Sequence, residues 1–226
     1  MSVAWLRSPV ALGRATAVLL GVSVAAQLFA LAADFVLYGI YDDAVGGASG
    51  ADFDRRVDDS DRLSLVSSSV QIVSLLATAV VYLCWFWRVR VNAEVFAPDG
   101  HAMKRGWVIG GWLVPFANLW FPRRVMADVW RASVPAGRGV SAAPVNLWWA
   151  ACVLWFLSDR VVSVRDRSVE TLSDHRGLAG AFMAMDAVGA VAGVLAIVVV
   201  VRLTRMQDEK AHVGAVQGAL IPPVQG

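Results

Sequence analysis

Cysteine is nearly missing from this 226-residue chain. There are two, Cys84 and Cys152, and both fall inside apolar runs. That excludes a disulfide framework and a cysteine-built metal site. The histidines His101, His175 and His212 are scattered, with no spacing that suits zinc. Lysine is as scarce: only Lys104 and Lys210 accompany the arginines. The net charge of +2 gives no bulk positive field, so no nucleic-acid partner is expected. There is no glycine-rich phosphate loop and no nucleophile elbow, and no acids, histidines or cysteines converge on one surface. An enzyme, a metal or a cofactor is therefore not expected. No internal repeat suggests an inverted-repeat transporter.

Charge in general is sparse. Charged residues make up 17% of the chain and apolar residues 58%, against roughly a quarter and a half in soluble domains. The apolar residues are also segregated. Residues 15–33 carry no charge, and 19 residues of helix cover about 28 Å, close to the hydrocarbon thickness. A second uncharged run of 25 residues covers 63–87, and a third, shorter one covers 144–158. The third lengthens through Val161, Val162 and Val164 if Asp159 and Arg160 sit at the headgroups. A fourth, 177–201, is broken only by Asp186. Helices are expected, because lipid cannot satisfy an open backbone. The fold class read here is an all-α integral membrane protein. Its four transmembrane helices cover about 13–37, 63–88, 143–164 and 177–203 within one membrane domain, 1–205. Arg7, Arg14 and the Ala30-Leu31-Ala32 triplet leave cleavage of the first span as an alternative to its retention as an anchor.

With both ends inside, the inner segments hold 13 of the 20 basic residues and the outer loops hold 7. This Lys/Arg bias places the N and C termini in the cytoplasm of a multi-pass cell-membrane protein. The acids run the other way. Asp42, Asp43, Asp52, Asp54, Asp58, Asp59 and Asp61 load an outer loop, 34–62, whose flexible middle is Gly46–Gly50. Residues 206–226 read as a disordered tail.

One apolar stretch does not suit a simple span. Between Trp107 and Pro122 the chain is uncharged but broken by Pro115 and Pro122, and it contains Asn118. Proline removes a helix hydrogen bond, and Trp107 to Val114 reaches only about 12 Å. The expectation is a re-entrant or interfacial hairpin within 105–133, with Pro115–Asn118 shielded by neighbouring helices. A fifth full span is the alternative, and it would put the chain end outside. After it, Val125, Met126, Val129 and Trp130 group on one helical face, with Arg124, Asp128 and Arg131 on another. That pattern suits a short amphipathic helix in the interface plane.

The spacing Trp107-x4-Trp112-x2-Pro115-x2-Asn118-Leu-Trp120-x-Pro122, followed by Trp130-Arg-Ala-Ser133, resembles the hallmark of a bacterial, mainly actinobacterial, membrane family called domain of unknown function 4328. The resemblance covers roughly residues 60–205. It implies two helices, the Trp/Pro/Asn segment and two more helices, and it implies no activity.

Polar groups inside the spans are the remaining candidates. Ser64, Ser67, Gln71, Ser74 and Thr78 share one face of the second span. They read as hydrogen-bonded helix packing or as one wall of a hydrated path. In the fourth span Asp186 shares a face with Gly189 and Gly193, a small-residue contact that lets another backbone approach. Asp186 reads as a structural acid or as an ion, proton or partner site. Trp85, Trp87, Trp107, Trp148 and Trp149 fall near the inner boundary, as an aromatic belt or as a headgroup pocket. In the second case Arg88, Arg90, Arg123, Arg124 and Arg131 supply donors for phosphate or a partner. The leading expectation is a non-catalytic membrane protein that binds anionic lipid or another membrane protein at this aromatic-basic face. The alternative is a small transporter or channel using Asp186 and the Ser/Gln/Thr stripe, which would need a homo-oligomer because four helices enclose little water.

Overall fold

A computed structural model describes residues 6–135, 137–139 and 141–220, with side chains as far as Val213. It contains α1 (Val10–Val45), α2 (Ala51–Phe96), α3 (Trp107–Leu113), a 3-10 turn (Ala117–Leu119), α4 (Phe121–Ser133), α5 (Ala143–Asp166) and α6 (Leu172–Leu220). There is no strand among the described residues. α1, α2, α5 and α6 are long and apolar enough to cross a membrane. The chain is a multi-pass membrane protein.

The helix ends have local causes. α1 stops before Gly47, whose φ of 89° lies in the region glycine tolerates. α2 then opens with Asp52 and Asp54 in its first turn, where the helix dipole favours negative charge. α4 has Pro122 in its first turn, where the missing N–H costs nothing, and it ends at the residues before Pro135. α6 begins with a reciprocal cap. Thr171 N–H donates to Asp174 Oδ2 at 3.1 Å, and Asp174 N–H donates to Thr171 Oγ1 at 3.2 Å.

The chain forms two compact units. The second unit is drawn from Leu19–Thr78 and Trp148–Ala196. Its packing inverts that of a soluble protein. Leu65, Val73 and Leu76 are 70%, 67% and 62% exposed, while Ser67, Ser74 and Thr78 are buried. Large apolar side chains face outward because lipid accepts them, and small or hydroxylated residues face inward because they let backbones approach. Thr78 Oγ1 donates to Leu19 O at 3.1 Å and lies 2.8 Å from Ser23 Oγ. Ser67 and Ser74 donate to carbonyls of their own helix, Ser64 O and Gln71 O. Gly193 lies against Val24, and Gly189 against Trp155 and Gln27. A Cβ on Gly189 would meet Trp155 Nε1 at 2.9 Å.

The first unit is drawn from the described residues within 6–18, 79–147 and 197–220. Its core is Trp85, Phe86 and Val89 of α2, Val125, Met126, Val129 and Trp130 of α4, and Val199, Val200 and Leu203 of α6, all almost fully buried.

Several expectations change here. The acidic outer loop is mostly helix: only residues 46–50 separate α1 from α2. Some of its aspartates pair with arginines. Asp52 bonds Arg55 three residues on, and Asp43 holds Arg56 at 2.7 Å. The tail expected from 206 continues α6 to Leu220, and Met206 and Gln207 are buried; residues 221–226 lie outside the described residues. The apolar face of α4 is covered by protein, and Asp128, expected on its polar face, is 2% exposed. Asp128 accepts the Ala102 N–H at 3.0 Å and the Arg131 guanidinium, which offsets its desolvation.

Candidate functional site

The Trp/Pro/Asn segment is a plug before it is a surface. Trp107 meets Phe121 edge-on with centroids 4.6 Å apart, and Trp112 meets Tyr82 edge-on at 5.8 Å. Gly111 lies under the start of α4, where an added Cβ would sit 3.3 Å from Phe121 Cβ. Pro122 is buried beside it. These residues fold α3 back onto α4. Asn118 is half-buried, and its backbone N–H closes the turn on Val114 O at 3.1 Å. The hairpin tip behaves differently. The expected shielding of Pro115–Asn118 stops short of Pro115 and Phe116. Leu113 and Phe116 are 75% and 77% exposed, and Pro115 and Trp120 are exposed as well. Phe116 holds φ at 64°, a conformation uncommon for a bulky residue.

The predicted arginines divide. Arg90 is 3% exposed; it donates to Glu94 at 2.6 Å and to Met103 O at 2.8 Å. Glu94 also takes Arg105, whose guanidinium is raised above its ordinary range by that bond. Arg90 therefore fastens the 97–106 loop and is not a headgroup donor. Arg88, half-buried, donates to Ser8 O at 3.2 Å. Arg123 is exposed and reaches Asn146 Oδ1 at 2.8 Å; Arg124 and Arg131 are exposed on the same helix. Trp130 anchors that helix at 1% exposure.

A buried polar hub, unread in the sequence, ties the unit together. Gln207 Nε2 donates to Val89 O at 2.8 Å and Ser133 Oγ at 3.0 Å, and its Oε1 accepts Asn92 Nδ2 at 3.0 Å. Asn92 also grips the Arg7 backbone, donating to its carbonyl at 2.8 Å and accepting its N–H at 3.1 Å. Lys210 donates to Ala132 O and Val134 O at the negative end of α4, and lies 5.1 Å over the Phe96 ring. Nearby His101 is held below its ordinary pKa, first by burial and then by Arg90; the Ala93 carbonyl, Asp128 and Glu94 oppose this.

A groove opens beside this hub. It holds about 570 Å³ between the end of α4, residues 138–147 and the α6 turn that carries Arg202 and Arg205. Arg138 also lines it. No group of three or more His, Cys, Asp or Glu side chains gathers to hold a metal among the described residues.

In the second unit, Gln71 Nε2 donates to Asp186 Oδ1 at 3.0 Å and to Gln27 Oε1 at 2.8 Å. Asp34 interacts with Asp186 side chain to side chain. The geometry thus joins Asp186 to one member of the predicted stripe, Gln71, and adds Gln27 and Asp34. Ser64 is half-buried, and its hydroxyl has no partner among the described residues.

Residues 50–205 match a family described as a domain of unknown function (DUF4328). The chain belongs to this family. The match takes in the Trp–Pro hairpin, all of α4 and α5, and α6 as far as Arg205. No curated protein and no solved structure matches the chain.

Proposed function

We propose that this chain is a non-catalytic protein of the cell membrane, with both termini in the cytoplasm, that binds an anionic lipid or a protein partner at the aromatic-basic face of its first unit. The observation that carries the reading is the exposed apolar hairpin tip, Leu113 and Phe116, followed seven to eleven residues on by exposed Arg123 and Arg124. Apolar side chains suit the acyl region, and arginines suit phosphate or carboxylate beside it. Trp107 and Gly111 pack α3 onto the start of α4, the helix that carries both arginines. The Lys/Arg bias of the sequence supports the orientation, and anionic lipid at an inner leaflet favours the same one. Changing Arg123 and Arg124 together to Gln should weaken retention of anionic lipid or of a stoichiometric partner. Unchanged retention counts against the proposal.

The Asp186–Gln71–Gln27 contacts favour a second reading, an intramembrane ion or proton site. Its test is flux in proteoliposomes. Flux that Asp186→Asn leaves untouched, or no flux at all, removes it.

A further inference from the structure

The groove beside α4 is basic. Arg138, Arg202 and Arg205 all line it, and Glu209 is its one carboxylate. Glu209 is shared: Arg138 reaches it at 3.1 Å and Arg205 at 2.7 Å. Arg202 makes no ion pair among the described residues. The groove therefore carries a positive excess that the protein leaves unmatched. Trp130 forms part of the wall at 1% exposure. The first turn of α5, at Ala143 and Pro144, lines the same space and adds the positive end of a helix dipole.

We infer that this groove is a binding site for the phosphate headgroup of an anionic membrane lipid. Its volume falls within the range of small-molecule sites. Its position selects a lipid over a free phosphate. Arg202 directly follows the uncharged run 187–201, which places it at headgroup level. Pro144, Leu147 and Met206 give the groove an apolar side that a glycerol backbone and the first acyl carbons would cover and a free anion would not. Arginine forks supply paired donors to phosphate oxygens. The inference rests on the reading of the first unit as an anion-binding face, and it adds Arg138, Arg202 and Arg205 as the seat of the phosphate itself beside the broader contribution of Arg123 and Arg124.

The test is native mass spectrometry of the full chain in mild detergent, titrated with phosphatidylglycerol, with phosphatidylcholine and with inorganic phosphate. Wild type should bind one phosphatidylglycerol in preference to phosphatidylcholine, and inorganic phosphate should not displace it. Arg202→Gln removes a groove donor that is exposed, and should weaken phosphatidylglycerol binding by about tenfold or more. Arg138→Gln should act the same way and serves if the first variant loses its fold. Arg55→Gln, a charge loss in the other unit, should change nothing. If phosphatidylglycerol preference survives both groove variants but is lost in the Arg123→Gln, Arg124→Gln double variant, the groove is overturned and the broader face stands. If wild type shows no anionic preference, both fail. Displacement by inorganic phosphate at equal concentration overturns the lipid assignment.

Discussion

Gln207 is the most informative residue to perturb for stability. Its side chain links α6 to α2 through Val89 O and Asn92, and to α4 through Ser133. Leucine has a similar volume and neither donates nor accepts, so Gln207→Leu removes three hydrogen bonds without opening a large cavity. Each abandoned partner keeps some compensation. Asn92 Nδ2 still reaches Arg7 O, and Ser133 Oγ still reaches Val129 O at 2.7 Å. The loss is therefore near the lower end for a buried unsatisfied group, about 1 kcal/mol each. Avoiding the desolvation of the amide itself returns part of this, which leaves a net loss of about 2 kcal/mol. The assay is denaturant unfolding of the solubilised protein, followed by tryptophan fluorescence. Asn92→Leu should be strongly non-additive with Gln207→Leu, because both variants delete the same bond, with a coupling of about 1 kcal/mol. A Gln207→Leu protein as stable as wild type, or strictly additive variants, would refute the hub.

Other outcomes follow from the same geometry. Gly193→Leu should push against Val24 and destabilise the second unit by about 1–3 kcal/mol, read as a lowered unfolding midpoint. His101 is held below its ordinary value of 6.5, so above that pH folded and unfolded chains are both neutral there. As pH falls through it the unfolded chain takes up a proton first, and stability declines at up to about 1.4 kcal/mol per pH unit until the folded pKa is reached. His101→Phe should lose that part of the decline as pH falls below 6.5; an identical profile would contradict it. Ser49→Cys, in the exposed turn between α1 and α2, should react with an impermeant maleimide from outside intact cells. Protection from outside would reverse the proposed orientation.

The spans were legible because bilayer thickness writes directly into run length: the three uncharged runs and the fourth, broken only by Asp186, all sit on long helices. The Gly189–Gly193 contact and the Val125–Trp130 face were legible from helical period. Which surface would cover that face was not, because lipid and protein offer a leucine-like side chain the same apolar environment. The acidic segment misled through composition, since aspartate is a poor helix former alone but is stabilised by Arg55, Arg56 and a helix N-terminus. Asp34 was assigned to a loop on charge, yet it lies on α1 against Asp186. Gln207 was hidden by the charged run that follows it. A signal existed, because Val200, Leu203, Gln207 and Lys210 are spaced three and four apart and continue the buried face of α6. Arg138, Arg202 and Arg205 are far apart in sequence or read as flanking charge, and only the return of the 138–147 segment brings them to one groove.

The most direct test of the proposed function is purification of the tagged full chain in mild detergent, with its lipids and proteins both identified by mass spectrometry. The account predicts enrichment of an anionic phospholipid, or of one stoichiometric partner, that falls sharply when Arg123 and Arg124 are both Gln. A co-purified lipid composition equal to that of the bulk membrane, with no stoichiometric protein and no difference between wild type and variant, would contradict it.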